Sequence, residues 1–319
     1  MLCYKHQMRK EFMTKNLHIE HPEDTILTGD LSFLNALNVE QHISVKYDGA
    51  PSIVWGKNPT TGNQFVGTKS ALNKNVVKIC ETIDDIFVHY VDNRYDNLRK
   101  ILIACLLFLP QTDKIYQGDF IGFGGKLSYK PNTITYKFAD KVEQQIIIAP
   151  HTLYTPEPNM RLYYSHSSPL LTKLSSNNNV KFVQPLCRTW DTNYDTQTNK
   201  FSHVNDLINR ALLEAQLVTF CTPKESQEIK KQLNKCIREN IQIDPKDFNN
   251  SNLISYWLYV KQIKEELLSL CRHQFGPKAY ILNKQIDAEG YVIHSKLGTY
   301  KLINREVFSH ANFTIGAFN

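Results

Sequence analysis

The run Ser44-Val45-Lys46-Tyr47-Asp48-Gly49-Ala50-Pro51-Ser52-Ile53-Val54-Trp55 sets a lysine and a carboxylate two residues apart at the end of an apolar stretch and follows them with glycine. Side chains two apart on a strand share a face, so Lys46 and Asp48 are expected to point into the same space. Gly49 lets the chain turn tightly or lets a ligand approach the backbone. Such a lysine is a nucleophile candidate, although a surface strand ending in an ordinary Asp-Gly turn accounts for the same four residues. A lysine at its usual pKa of about 10.4 is protonated at neutral pH and cannot attack phosphorus. A nucleophilic reading therefore requires burial, a neighbouring cation or a bound metal.

Three further segments carry charged groups on strand-like runs. Tyr116-Gln117-Gly118-Asp119-Phe120-Ile121-Gly122 sets an acidic residue among apolar and glycine neighbours, and Asp287-Ala288-Glu289-Gly290-Tyr291-Val292-Ile293 puts a carboxylate at the mouth of an apolar strand. Gly298-Thr299-Tyr300-Lys301-Leu302-Ile303-Asn304 brings a second lysine after a loop of residues 294 to 297. Lys69, in Gly67-Thr68-Lys69-Ser70, fits phosphate binding and plain solvation equally.

These residues must be held by strands. Alternation and β-branched content predict strands over 43–47, 52–56, 64–68, 114–120, 133–138, 145–149 and 180–184, with a helical stretch from Val76 to Leu109 and a Ser/Asn-rich loop at 175–179. Composition then changes: Val204–Phe220, Lys224–Ile241 and Ser251–Phe275 read as helices, Pro223 standing where a helix can begin, and strands resume at Tyr280. The expected organisation is a tail over 1–16, one domain formed by 17–202 and 276–319, and a helical insert over 203–275.

The chain has 319 residues, 42% hydrophobic and 21% charged, ordinary for a globular protein. Its 37 Lys+Arg against 31 Asp+Glu give +6, which suits a polyanionic partner without demanding one. Seven cysteines, at 3, 80, 105, 187, 221, 236 and 271, form no C-x-x-C pair and argue against a zinc site or a secreted disulfide framework. The longest apolar run, Ile101–Leu109, is too short to span a membrane, so a cytoplasmic protein with no membrane association is expected.

Taken together, the four charged segments resemble, in order, motifs I, III, IV and V of the covalent nucleotidyltransferase superfamily of ATP-dependent DNA ligases, RNA ligases and capping enzymes. The phrases His21-Pro22-Glu23-Asp24, Lys46-Tyr47-Asp48-Gly49-Ala50-Pro51, Lys130-Pro131-Asn132-Thr133-Ile134-Thr135-Tyr136 and His151-Thr152-Leu153-Tyr154-Thr155 are similar to those of ligase-like proteins found largely in tailed phages. The resemblance implies an α+β nucleotidyltransferase fold of two antiparallel sheets around an ATP cleft. The residues after motif V are too few for an OB domain.

It implies Lys46 as the nucleophile that takes AMP from ATP and Lys301 as the cation that offsets charge on the α-phosphate. Glu289 would bind Mg²⁺ or orient Lys46, and Asp48, Gly49, Lys69 and Asp119 would hold the nucleotide. His151 would stack on the base or stand as a polar strand end. RNA or nicked DNA is the implied partner. The sequence departs from the family where Ala50-Pro51 replace a polar residue and arginine, and where Ile303 replaces the second lysine of motif V.

Overall fold

The structure, a computed structural model, describes residues 19–39, 41–73, 76–156, 162–165, 174–183, 186–187, 198–271, 276–281, 283–286, 289–306 and 308. The expected tail over 1–16 and residues 287 and 288 lie outside these. Short helices α1 (Pro22–Thr25) and α2 (Ser32–Ala36) lead into β1 (Gln41–Lys46), β2 (Ser52–Lys57) and β3 (Gln64–Gly67), then α3 (Ile83–His89), α4 (Asp96–Phe108) and β4 (Ile115–Phe123). β5 (Ser128–Tyr129), β6 (Thr135–Lys137), β7 (Ile146–Pro156), β8 (Leu162–Ser165), β9 (Val180–Phe182) and β10 (Leu186–Cys187) follow. Helices α5 (Thr198–Glu214), α6 (Pro223–Glu239) and α7 (Ser251–Leu270) precede β11 (Lys278–Ile281), β12 (Lys284–Ile286), β13 (Gly290–Ser295) and β14 (Gly298–Ile303). The protein is α+β.

Two compact units divide the chain. One takes Tyr47–Gln184 and Gly276–Tyr280. Its main sheet runs β3-β2-β4-β7-β8 with antiparallel neighbours, and β9 lies parallel to β7, so this sheet is mixed where a purely antiparallel one is expected. The side chains of Ile53, Trp55, Tyr116, Phe120 and Ile148 cluster with Ile101, Leu102 and Cys105 of α4 to form its core. The helical stretch expected from Val76 to Leu109 holds two helices, α3 and α4, and begins at Ile83. Cys80 is tied to Val66 through backbone bonds in both directions, and Thr82 then opens α3 by a reciprocal cap with Asp85. α4 ends as Leu109 turns extended before Pro110, which disfavours a helical predecessor.

A second sheet in this unit pairs β5, β6 and β11, burying Tyr129, Tyr136 and Ala279 on one face.

The other unit takes Ile19–Lys46, Pro185–Phe275 and Ile281–Asn319. Residues 203–275, expected as an insert, thus share a unit with the first strand and the closing hairpin. The reason is burial: α7 sinks Leu253, Trp257, Val260, Ile263 and Leu267, and it packs against β14, α1 and α5. The sheet here runs β10-β1-β13-β14, with antiparallel neighbours throughout. Ile43 and Val45, Tyr291 and Ile293, and Tyr300 and Leu302 are buried on one face, as the two-residue period of a strand requires. α6 opens on a reciprocal Thr222–Glu225 cap with Pro223 in its first turn, as the sequence predicts, and ends at Asn240 in the left-handed region, φ 54°.

No helix of the described residues is long and apolar enough to cross a membrane.

Candidate functional site: a lysine pair and a carboxylate on one sheet face

In the unit that holds β1, β13 and β14, register decides which side chains meet. Lys46 pairs with Gly290, Ser44 with Val292, and Val292 with Lys301. Residues directly opposite in an antiparallel ladder point to the same side. Lys46, Ser44, Val292 and Lys301 therefore share the face opposite the buried row of Ile43, Val45, Tyr291 and Ile293. The Lys46 ammonium bonds the Glu289 carboxylate, with side chains 22% and 12% exposed, so both remain reachable.

Lys301 is 8% exposed. Burial, and after it the nearby Lys46 charge, push its pKa down to about 8. Lys301 is thus a depressed lysine in the constellation for which a depressed Lys46 is expected, and Lys46 has the Glu289 carboxylate beside it.

Gly290 is required by the close approach of its neighbours. A Cβ there would meet the Leu302 carbonyl oxygen at 2.2 Å, so no other residue lets β13 and β14 pair at the position that carries Glu289. On the same face Ser44 Oγ lies 3.1 Å from His294 Nε2. Sequence reasoning left both out, although the two-residue period through Lys46 and through Val292 already put them on this side.

A buried ion network adjoins the end of β14. Lys264 of α7 donates to Glu23 at 2.6 Å, and Arg305 Nη1 donates to Glu23 at 3.1 Å and Asp24 at 2.8 Å. Trp257 Nε1 donates to Asp24 at 3.1 Å, and Arg305 Nη2 to Asn234 at 2.6 Å. Burial alone would raise the Glu23 carboxyl, but Lys264 and Arg305 outweigh it and hold the pKa down to about 2. Burial raises that of Asp24 despite Arg305. His21, chiefly through burial, is lowered to about 2 and is neutral. The His21-Pro22-Glu23-Asp24 phrase thus builds a two-anion, two-cation cluster. Its partners Lys264 and Arg305 have no local sequence signal that would pair them with it.

The remaining expected residues belong to the other unit. The Asp48 backbone N–H donates to the Tyr136 hydroxyl at 2.7 Å, and Asn132 Nδ2 donates to the Asp48 carboxylate. Gly49 lies where a Cβ would meet the Phe120 carbonyl oxygen at 2.5 Å. Asp119 Oδ1 lies 3.6 Å from His151 Nε2, and His151 Nδ1 lies 2.7 Å from Thr152 Oγ1. On the same side of β4, two residues from Asp119, buried Gln117 donates to Ser52 at 2.9 Å and accepts from Tyr154 at 2.5 Å. Lys69 is exposed on a short turn and is not drawn into this group.

Among the described residues no three His, Cys, Asp or Glu gather as a metal cage. Mg²⁺ does not need one, since it takes one or two carboxylates and completes its shell with phosphate and water. Glu289 fits that habit as a single ligand.

The fold and this face define an α+β protein that presents two lysines and a carboxylate from adjacent antiparallel strands. The chain belongs to a family of unknown function (DUF6267), whose model matches residues 16–251 and 242–316. No curated protein matches it. No solved structure matches it.

Proposed function

We propose that the chain is an ATP-dependent nucleotidyltransferase of RNA- or DNA-ligase type, with Lys46 as its nucleophile. The observation that carries this reading is the placement of Lys46 and Lys301 on one face of the β1-β13-β14 sheet, with Glu289 bonded to Lys46. Lys46 Nζ, its ammonium proton passed to Glu289 or solvent, attacks the α-phosphorus of ATP. The N–P bond forms, the bond from α-phosphorus to the bridging oxygen breaks, and pyrophosphate leaves with that electron pair. Lys301, held in a dry setting, offsets the charge that builds on the α-phosphate oxygens. Magnesium, when bound, would neutralise the triphosphate, and Glu289 is the group that would hold it with the phosphates. The AMP then passes to the 5′-phosphate of a nucleic acid.

Incubation with α-labelled ATP or GTP and Mg²⁺, followed by denaturation, tests the reading. Label that stays on the wild-type chain and is absent from Lys46→Ala supports it. No label with either nucleotide overturns it.

A further inference from the structure

The outward face of the sheet formed by β5, β6 and β11 carries an arrangement that the lysyl-nucleotide reading does not use. Lys137 and Lys278 stand directly opposite each other in the antiparallel ladder, and Ser128 stands opposite Lys137 on its other side. All three are exposed, while their alternating neighbours Tyr129, Tyr136 and Ala279 are buried. Like charges facing each other across a ladder destabilise a sheet unless something of opposite charge lies over them. The three strands contain no Asp or Glu. Among the described residues none of Lys126, Lys130, Lys137 and Lys278 forms an ion pair; exposed Lys126 and Lys130 flank Ser128 by two residues on either side. Of the acidic residues nearby in sequence, exposed Asp140 forms no ion pair among the described residues, and Glu143 is taken by Lys141 at 3.4 Å. On the same face Tyr280, paired with Thr135, lies two residues from Lys278.

We infer that this face binds the phosphate backbone of a single-stranded nucleic acid. Cross-strand Cβ atoms lie about 5 Å apart, so both ammonium groups of the central pair can close on one phosphate. The lysines at 126 and 130 extend the positive surface beside them. Sequence-tolerant single-strand binders combine positive charge along the backbone with aromatic side chains on which bases stack, and half-buried Tyr280 is the aromatic on this face. Positive charge alone suits any polyanion; the choice of nucleic acid rests on the nucleotidyl-transfer reading, which calls for such an acceptor.

The test uses the full chain without nucleotide and a fluorescent single-stranded RNA, its affinity read by anisotropy as KCl is raised. Lys137→Gln/Lys278→Gln should weaken binding by about tenfold or more and flatten the slope of log affinity against log salt by about 0.7, the contribution of one phosphate contact. Lys224→Gln/Lys235→Gln on α6 removes the same charge from exposed positions and should change neither quantity. Unchanged affinity and slope in the sheet variant overturn the inference, as does an equal loss in the α6 variant. Binding of anionic phospholipid vesicles in place of RNA, abolished by the same sheet substitutions, overturns nucleic acid as the occupant. Covalent labelling at Lys46, measured in parallel, should persist in the sheet variant, so failure of the surface and failure of the lysyl-nucleotide reading give different results.

Discussion

Lys46 stands directly across from Gly290 in the β1–β13 ladder, and its ammonium bonds Glu289, the residue just before that glycine. The lysine and its carboxylate are therefore fixed by backbone register and not by long flexible reach. Lys46→Ala should abolish covalent nucleotide labelling while leaving the fold intact, because the side chain is partly exposed and fills no core. Undiminished label in this variant would move the nucleophile elsewhere.

Glu289→Ala should slow labelling by on the order of a hundredfold, comparable to the loss of one electrostatic stabiliser. Chelation of divalent metal should stop it. Labelling that proceeds equally well in chelator would remove the metal from the reaction and leave Glu289 as a partner of Lys46 alone.

The lysine, the glycine and the strand alternation of this face were legible in sequence, since a two-residue period and a backbone that tolerates no Cβ leave direct marks. Glycine at 290 follows from the 2.2 Å approach of Leu302, and glycine at 49 from the 2.5 Å approach of Phe120. The break before α3 was not legible, because apolar residues from 76 to 79 continue the helical pattern. It is the Cys80–Val66 backbone pairing and the Thr82 cap that end it. Nor was the company that residues 203–275 keep, since Lys264 reads as a solvated lysine on a helix until Glu23 is brought to it.

Gly290→Ala tests register directly. A methyl group would force β13 from β14 at the position before which Glu289 projects. The variant should lose on the order of 1–3 kcal/mol of stability, as overpacked sites do. It should also label more slowly than wild type in the fraction that stays folded, as determined by denaturant unfolding and single-turnover labelling. Wild-type stability would show that the strands yield without cost.

Lys301 makes stability depend on pH in a defined window. Its ordinary value of 10.5 falls to about 8 in the folded chain. Between those values the unfolded chain holds a proton that the folded chain has released, so unfolding free energy rises with pH across that range. Below about pH 8 the buried amine is charged and its full cost, on the order of 3 kcal/mol, is present. Lys301→Met should therefore be more stable than wild type at pH 7, with the gain shrinking toward pH 10, while labelling falls by on the order of a hundredfold. A variant less stable at pH 7 would mean that the amine is well compensated where it sits.

The buried network makes the sharpest prediction about the fold. Glu23 and Lys264 are both 0% exposed and bonded to each other. Lys264→Met leaves Glu23 with Arg305, which Asp24 also claims, so one negative charge loses its own counterion. Breaking a buried pair in this way costs about 3–5 kcal/mol. The Glu23 carboxylate, held at about 2 chiefly by Lys264 once burial is overcome, contributes stability that is present above its ordinary 4.5 and is lost as pH falls toward 2. Lys264→Met should weaken that acid dependence along with the stability itself. Glu23→Gln/Lys264→Met removes both charges at once and leaves Asp24 to Arg305. In a double-mutant cycle its loss should be smaller than the sum of the two single losses, by about 0.5–3 kcal/mol. Strict additivity, measured by urea unfolding at pH 7, would show that the two side chains act independently and that packing, not charge pairing, holds α1 to α7.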